Sequence, residues 1–96
     1  MRFENIDYVA NILKCISHKE RLKIVCVLIS KEKSVNELVK EVGISQSQMS
    51  QFLKQLKTNN ILDSKKVVLN GAANQYYFIK DEKIKKVIES LKDNYC

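Results

Sequence analysis

The sequence predicts one mainly α-helical domain with a β-hairpin, in the element order α-α-α-α-β-β-α. Three observations lead to this prediction. The 96 residues include no proline and only two glycines, so few positions interrupt a helix. Five segments carry apolar residues at spacings of three and four, which is typical of amphipathic helices. The dipeptide Asn70-Gly71 separates two β-prone runs, and this pattern favours a tight hairpin turn.

The first two helices are predicted from their apolar residues. Residues 5–16 place these residues on one face. The second helix runs to about Ile29 and is apolar in nearly every direction, so we expect it at the centre of the domain. Ser17 and Glu20 match the S-x-x-E capping box, in which each side chain accepts a hydrogen bond from the other residue's backbone amide. We expect His18 to be a solvated or a capping-region histidine, not a ligand or a catalytic base.

Two further capping boxes open a pair of helices in the middle of the chain. Ser34 and Glu37 begin a short helix that ends at Gly43, because a left-handed glycine suits a helix C-terminus. Ser45 and Gln48 begin the next helix in the same way. A short helix, a turn that contains glycine and a second capped helix form a helix-turn-helix. Together with the hairpin as a wing, they predict a winged helix-turn-helix fold.

The second helix of this pair has an exposed face of uncharged hydrogen-bonding side chains, where an ordinary solvated face mixes Glu and Lys. Amides and hydroxyls at a helix N-terminus can reach base edges and phosphates in a DNA major groove. Residues 44–79 contain four lysines and one aspartate, which is half of the net charge of +6. We therefore predict that the chain binds double-stranded DNA through Ser45, Gln46, Ser47, Gln48, Ser50, Gln51, Lys54, Lys65, Lys66 and Asn70.

The first and last helices carry apolar stripes that one small domain cannot cover. We expect Asp81 to cap the last helix, which has Ile84, Val87 and Ile88 on one stripe. A chain of 96 residues has a modest core and benefits from a partner subunit. We therefore interpret residues 1–96 as one domain whose first and last helices form the face of a homodimer.

Composition excludes several other classes of protein. With 45% hydrophobic and 29% charged residues, the chain is expected to be folded rather than disordered. It has no apolar run of about 18 residues and no signal-peptide pattern, so we expect a cytoplasmic protein without membrane contact. Three cysteines without a CxxC pair and a single histidine argue against a disulfide scaffold, a zinc finger and a thiol enzyme. We predict no catalytic residue, no cofactor and no metal site.

The chain resembles the ArsR family of bacterial winged-helix repressors over about residues 10–96. The resemblance rests on residues 13–22, 34–38, 44–56 and 75–78, and the run S-Q-S-x-x-S-x-x-L that starts at Ser45 is its most specific part. It implies a homodimer that represses a palindromic operator and releases the DNA when it senses an inducer. Phe52 and Lys19 depart from the family pattern, which usually has His and often Pro at these positions. The wing also carries lysine where the family usually has arginine.

Two cysteines resemble the persulfide- and redox-responsive branch of this family. Cys26 lies in the second helix, and Cys96 follows Tyr95 at the end of the last helix. The resemblance implies that reactive sulfur species or another oxidant join these two thiols, directly or through added sulfur atoms, and that the joined form binds DNA less well. A thiolate is the reactive form of cysteine, and a second thiol can resolve its first oxidation product. We expect Cys15 to be a small core residue.

Two alternatives keep the same fold. The first is a metal-responsive repressor that uses its cysteines as ligands, although the Cys-x-Cys and Asp-x-His elements of metal-sensing family members are absent. The second is a winged-helix protein-interaction module that has lost DNA binding. The sequence leaves both open.

Overall fold

The computed structural model describes residues 3–95 and contains, within them, five α-helices and a three-stranded antiparallel sheet. The helices are α1 (Ile6–Ile16), α2 (Lys19–Leu28), α3 (Val35–Val42), α4 (Gln46–Thr58) and α5 (Glu82–Tyr95). The strands are β1 (Lys33–Ser34), β2 (Leu62–Leu69) and β3 (Ala72–Ile79), and a short 3-10 turn, Phe3–Asn5, precedes α1. The predicted winged helix-turn-helix is therefore confirmed.

The sheet contains one strand that the sequence did not predict. Strand β1 pairs with β3, with Lys33 opposite Tyr77, and the strand order is β1-β3-β2. Two residues are too few to show the alternation by which strands are recognised in a sequence. The pairing ties the start of α3 to the hairpin, so the wing is anchored on the helix-turn-helix.

The core forms around α2, as predicted. Ile24 and Val25 of α2 are fully buried. Leu28 of α2 is buried beside them, and the other buried apolar residues come from every remaining helix, from β2 and β3 and from the turn before β2: Cys15, Ile16, Leu38, Met49, Leu53, Leu56, Ile61, Leu62, Ile79, Ile84 and Ile88. Because α3 and α4 each pack against α2, their orientations depend on it.

Both capping boxes of the helix-turn-helix are confirmed. The hydroxyl of Ser34 accepts from the backbone of Glu37, and the Glu37 carboxylate accepts in return from the backbone of Ser34. Ser45 and Gln48 make the same reciprocal pair at the start of α4. Gly43 ends α3 at φ +80°, a left-handed conformation that strains any residue with a side chain. The turn between α3 and α4 is thereby fixed on both sides.

The capping box predicted at Ser17 is wrong, because His18 caps α2. The Nδ1 atom of His18 accepts from the backbone amide of Glu20 at 3.2 Å. Ser17 still has helical backbone angles, so its hydroxyl donates back to the Lys14 carbonyl at 2.8 Å. His18 has the extended backbone that an N-cap residue needs.

The capping box at α3 predicts a pH dependence of stability. The backbone N–H of Ser34, followed by its hydroxyl and by the charges of Lys33 and Lys31, lowers the pKa of Glu37 from its ordinary value of 4.5. A lowered folded-state pKa gives stability that is present above 4.5 and is lost as the pH falls through the lowered value. Glu37→Gln keeps the acceptor but removes the charge, so we expect it to be less stable near neutral pH by about 0.3–1 kcal/mol.

The measurement is the free energy of urea unfolding for both proteins between about pH 7 and pH 3. We expect the difference between them to shrink as the solution becomes more acidic. A difference that stays constant with pH would contradict the assigned role of the Glu37 charge.

Candidate nucleic-acid-binding surface

Helix α4 presents a polar face that the fold holds away from the core. Met49, Leu53 and Leu56 point into the core and are buried. The side chains on the opposite face are exposed and include no acid in the first turn. They are Ser45, Gln46, Ser47, Gln48, Ser50, Gln51 and Lys54, which are the seven candidate residues predicted on this helix and its cap.

These side chains differ in how far they are already engaged. The Oε1 atom of Gln48 accepts from the backbone amide of Ser45 at 3.3 Å and from its hydroxyl at 3.2 Å. Within residues 3–95, Gln46 and Gln51 have no intramolecular side-chain hydrogen bond. Gln46 and Gln51 therefore have both amide donor and acceptor available for an external ligand, whereas Gln48 mainly fixes the start of the helix.

The predicted hairpin is confirmed as a two-residue turn. Leu69 pairs with Ala72, and Asn70 and Gly71 between them have φ values of 54° and 80°. Positive φ at both central residues is the type I′ geometry that follows the twist of the two strands. The loop is therefore not lengthened by Ala72, and Asn70 lies exposed at the tip of the wing.

The two wing lysines lie on opposite faces of the hairpin. Lys65 forms an ion pair of 2.8 Å with Glu32. Lys66 alternates to the face of Ser64, whose hydroxyl accepts from Lys57 of α4 at 2.9 Å. Lys66 is exposed, and no ion pair holds it within the described chain. The structure thus groups Lys66 with the α4 face and gives Lys65 a partner on the other side.

A groove runs between the start of α4 and the hairpin. Its lining combines residues from β1, α3, α4 and β3: Ser34, Val35, Asn36, Gln46, Ala73, Asn74 and Gln75. Among them, Asn36 and Gln75 escaped the sequence prediction because they lie in other elements, and only the β1–β3 pairing brings them beside α4. For Asn74 a sequence signal was available, because this residue follows the hairpin turn.

The tip of the wing is apolar, which the sequence prediction of a basic hairpin did not anticipate. Residues 67–79 contain no charged residue. Val68 and Leu69 are 63% and 54% exposed. The strands extend past the core, so their β-prone residues near the turn have nothing to pack against. The lysines of the hairpin, Lys65 and Lys66, therefore lie in the middle of β2 and not at the tip.

Arg21 connects α4 to the rest of the domain. Its Nη1 atom donates to Oε1 of Gln55 at 2.8 Å, and its Nε atom donates to the Cys15 carbonyl at 2.5 Å. Its guanidinium carbon lies 5.9 Å from the ring centre of Phe52, and the His18 ring lies 4.9 Å from the same ring. Phe52 is half-buried against the core, as its periodic position predicted.

An exposed apolar face lies on the side formed by α1 and α5. Leu13 of α1 and Val87 of α5 are each 54% exposed, and Tyr8 and Leu91 are exposed beside them. A groove between the two helices is lined almost entirely by apolar side chains, among them Ile12. This face is the one that the sequence assigned to a partner subunit. Asp81 caps α5, as predicted, by accepting from the backbone of Lys83 at 2.8 Å.

The cysteines occupy different environments. Cys15 is buried, and burial raises the pKa of its thiol, an effect that the nearby Arg21 charge partly offsets. Cys26 is half-buried on α2 and packs against the edge of the core. Cys96 lies outside the described residues, so the proximity of Cys26 and Cys96 stays a prediction.

Two further features are absent from residues 3–95, a metal-binding cluster and a membrane-spanning helix. No group of three or more His, Cys, Asp or Glu side chains there is arranged to hold a metal ion. No helix in the same range has the length and apolar composition needed to cross a membrane.

Comparison with known proteins gives a consistent result. Residues 18–64 match the family described as bacterial regulatory protein, arsR family. The HTH-type transcriptional regulator YgaV of Escherichia coli is 35% identical over 91 residues, which cover 94% of this chain and 88% of YgaV. The biofilm growth-associated repressor of Xylella fastidiosa is 33% identical over 88 residues, 92% of this chain and 74% of the repressor. The structure of reduced HlyU from Vibrio cholerae superposes with a TM-score of 0.87 at 30% identity, over 97% of this chain and 94% of HlyU.

Proposed function

The chain belongs to the ArsR family of bacterial regulatory proteins, and from this premise we propose that it is a homodimeric repressor of a palindromic DNA operator that reactive sulfur species or another oxidant release by linking Cys26 to Cys96. The relatives are transcriptional regulators, and the chain is likewise a DNA-binding regulator and not an enzyme. Such a repressor works in the cytoplasm, where its operator is. The observation that carries the proposal is the exposed, acid-free polar face of α4.

The α4 face has the chemistry for reading a major groove. A glutamine amide can both donate to and accept from an adenine edge, and a serine hydroxyl can contact either a base or a phosphate. The first turn of α4 contains no acidic residue that would repel phosphate. In our proposal Gln46, Ser47, Ser50 and Gln51 face the bases, while Lys66 contacts the backbone as a point charge. Lys54, Asn70 and, through its cap, Gln48 support the same surface.

A second copy would cover the apolar face of α1 and α5. Leu13, Val87 and Leu91 stay exposed on a chain whose core is already modest. A two-fold axis through this face would place one α4 helix on each side, and two successive major grooves lie about 34 Å apart. Each protomer extends 48 × 27 × 22 Å, so a side-by-side pair has the dimensions to reach both grooves.

A charge on this face tests the homodimer. We expect Leu13→Glu to raise the dimer dissociation constant by at least about a hundredfold, because the new carboxylate would be buried without a partner. Sedimentation velocity at micromolar protein would then show a monomer. The matched control is Val68→Glu, which places the same charge on a similarly exposed apolar residue of the wing tip. Dimers that persist in Leu13→Glu would contradict the assigned face.

Paired substitutions test the DNA contacts, with an operator selected by the wild-type protein from random-sequence DNA. We expect Gln51→Ala to weaken operator binding by about tenfold to a hundredfold and to leave non-specific binding almost unchanged. Lys66→Ala should weaken both kinds of binding and lower the salt dependence by about one phosphate contact. Fluorescence anisotropy at several salt concentrations measures all of these.

Lys65→Ala is the matched control, because Lys65 is the next residue but pairs with Glu32 on the opposite face. It should have a smaller effect than Lys66→Ala. Gln48→Ala is less informative, since it also breaks the capping box of α4. Unchanged operator affinity in both Gln51→Ala and Lys66→Ala would refute the proposed reading surface.

The chemistry of release requires two thiols and a sulfur donor. The Cys26 thiolate attacks the outer sulfur of a persulfide donor RSSH, forms a Cys26 persulfide and releases RSH. The Cys96 thiolate then attacks the Cys26 sulfur and expels hydrosulfide, which leaves a disulfide. The two protein thiols lose two electrons in total, and the transferred sulfur gains them. The structure supports this proposal by placing Cys26 on α2, which packs against α5, the helix that precedes Cys96.

Intact-mass spectrometry after treatment with a persulfide donor tests the linkage. We expect the wild-type protein to lose the mass of two hydrogens, or to gain sulfur in a linked form, and to bind the operator at least about tenfold more weakly. Cys26→Ser and Cys96→Ser should not form the linkage. Cys15→Ser is the matched control and should behave as the wild type, because burial raises the pKa of Cys15 and lowers its thiolate fraction. A linkage that requires Cys15 would overturn the assignment.

A further inference from the structure

The side chain of Arg21 forms hydrogen bonds with both α1 and α4. It belongs to α2, donates to the Cys15 carbonyl in the last turn of α1, and donates to the Gln55 side chain in α4. Its guanidinium also lies over the ring of Phe52, one turn before Gln55. The helix assigned to the dimer face and the helix assigned to DNA reading are therefore held by a single group.

The planar guanidinium group restricts the relative geometry of these contacts. The carbonyl of Cys15 is among the last four of α1, which have no partner within the helix and attract a positive charge. A planar guanidinium can donate to that carbonyl and to Gln55 at fixed relative angles while one face stacks on Phe52. A lysine ammonium keeps the charge but cannot hold this geometry.

From these contacts we infer that Arg21 is a positioning residue that sets the orientation of α4 relative to α1, and through it the separation of the two reading helices on the operator. This inference rests on the proposed function and adds the group on which the spacing depends. Gln55 lies four residues after Gln51, about 6 Å along the helix axis, so a tilt at Gln55 displaces the reading side chains. Cys26 lies in the same helix as Arg21, so a shift of α2 on oxidation would carry Arg21 with it.

The test compares operator affinity, non-specific DNA affinity and amide hydrogen exchange of α4, all with fully reduced protein. The variants are Arg21→Lys, Gln55→Ala and the double variant. Lys23→Gln is the matched control, because it removes a positive charge from the same helix without touching α1 or α4. Within residues 3–95, the ion pair of Lys23 is with Glu20 of α2 itself. Gln55→Ala breaks the same bond at a half-buried residue, so it tests the inference even if Arg21→Lys does not fold.

We expect Arg21→Lys and Gln55→Ala each to weaken operator binding by about tenfold, with non-specific binding unchanged in Arg21→Lys because the charge remains. The double variant should bind the operator at most about twofold more weakly than the weaker of the two single variants, because both substitutions remove the same interaction. Exchange in residues 52–58 should be faster in both single variants and unchanged in Lys23→Gln. A residue that only stabilised the fold would lower the melting temperature without changing the ratio of operator to non-specific affinity.

Three results would overturn the inference: wild-type affinity in Gln55→Ala, an additive double variant about a hundredfold weaker than wild type, or unchanged exchange in α4. If the wild-type protein selects no operator, the proposed function fails instead. The exchange measurement then decides the role of Arg21 without DNA. Because the protein is kept reduced, a failure of the cysteine linkage affects none of these readouts.

Discussion

The burial of α2 at the centre of the domain is the constraint on which the rest of the structure depends. Ile24 and Val25 are fully buried, and α1, α3, α4, α5 and β3 all pack against this one helix. A chain of 96 residues has no second core that could hold an element independently. A displacement of α2 would therefore also displace the helices around it. Helix α4 contacts α2 both through apolar packing and through the side chain of Arg21.

The surfaces that this packing leaves exposed are of two kinds, one apolar and one polar. A small core cannot cover the outer stripe of α1 and α5, so apolar side chains remain on that side. On α4 the inward positions are filled by Met49, Leu53 and Leu56, and the outward positions carry amides and hydroxyls. The polar face costs little stability because it is solvated, and of its side chains only Ser45 and Gln48 help to fix the helix-turn-helix, through the capping box of α4. The remaining polar side chains of α4, among them Gln46 and Gln51, could thus contact a ligand without loss of the contacts that maintain the fold.

Most of the fold could be predicted because its signals are local. Periodic apolar residues, the boxes at Ser34 and Ser45, and the Asn70-Gly71 turn each depend on neighbours in sequence, and each was confirmed. The failures have non-local causes. The cap at His18 depends on the backbone angle at which α1 ends, and β1 exists only through its pairing with β3. For the same reason, the sequence does not distinguish the role of Lys65 from that of Lys66. Neither the ion pair with Glu32 nor the groove beside α4 can be predicted from the order of residues.

Whether a cysteine linkage can release an operator depends on the free energy by which the linkage weakens DNA binding. Each tenfold change in operator affinity corresponds to about 1.4 kcal/mol. In our proposal, one linkage that weakened binding by about a hundredfold would contribute about 2.8 kcal/mol. This value falls short of the roughly 5.5 kcal/mol needed to reverse a population from 99:1 to 1:99. Two linkages, one in each protomer of a dimer, reach that value. In the proposed homodimer both copies of α2 would act on the same operator, so a complete switch would require both linkages and oxidation of one protomer would give only partial release.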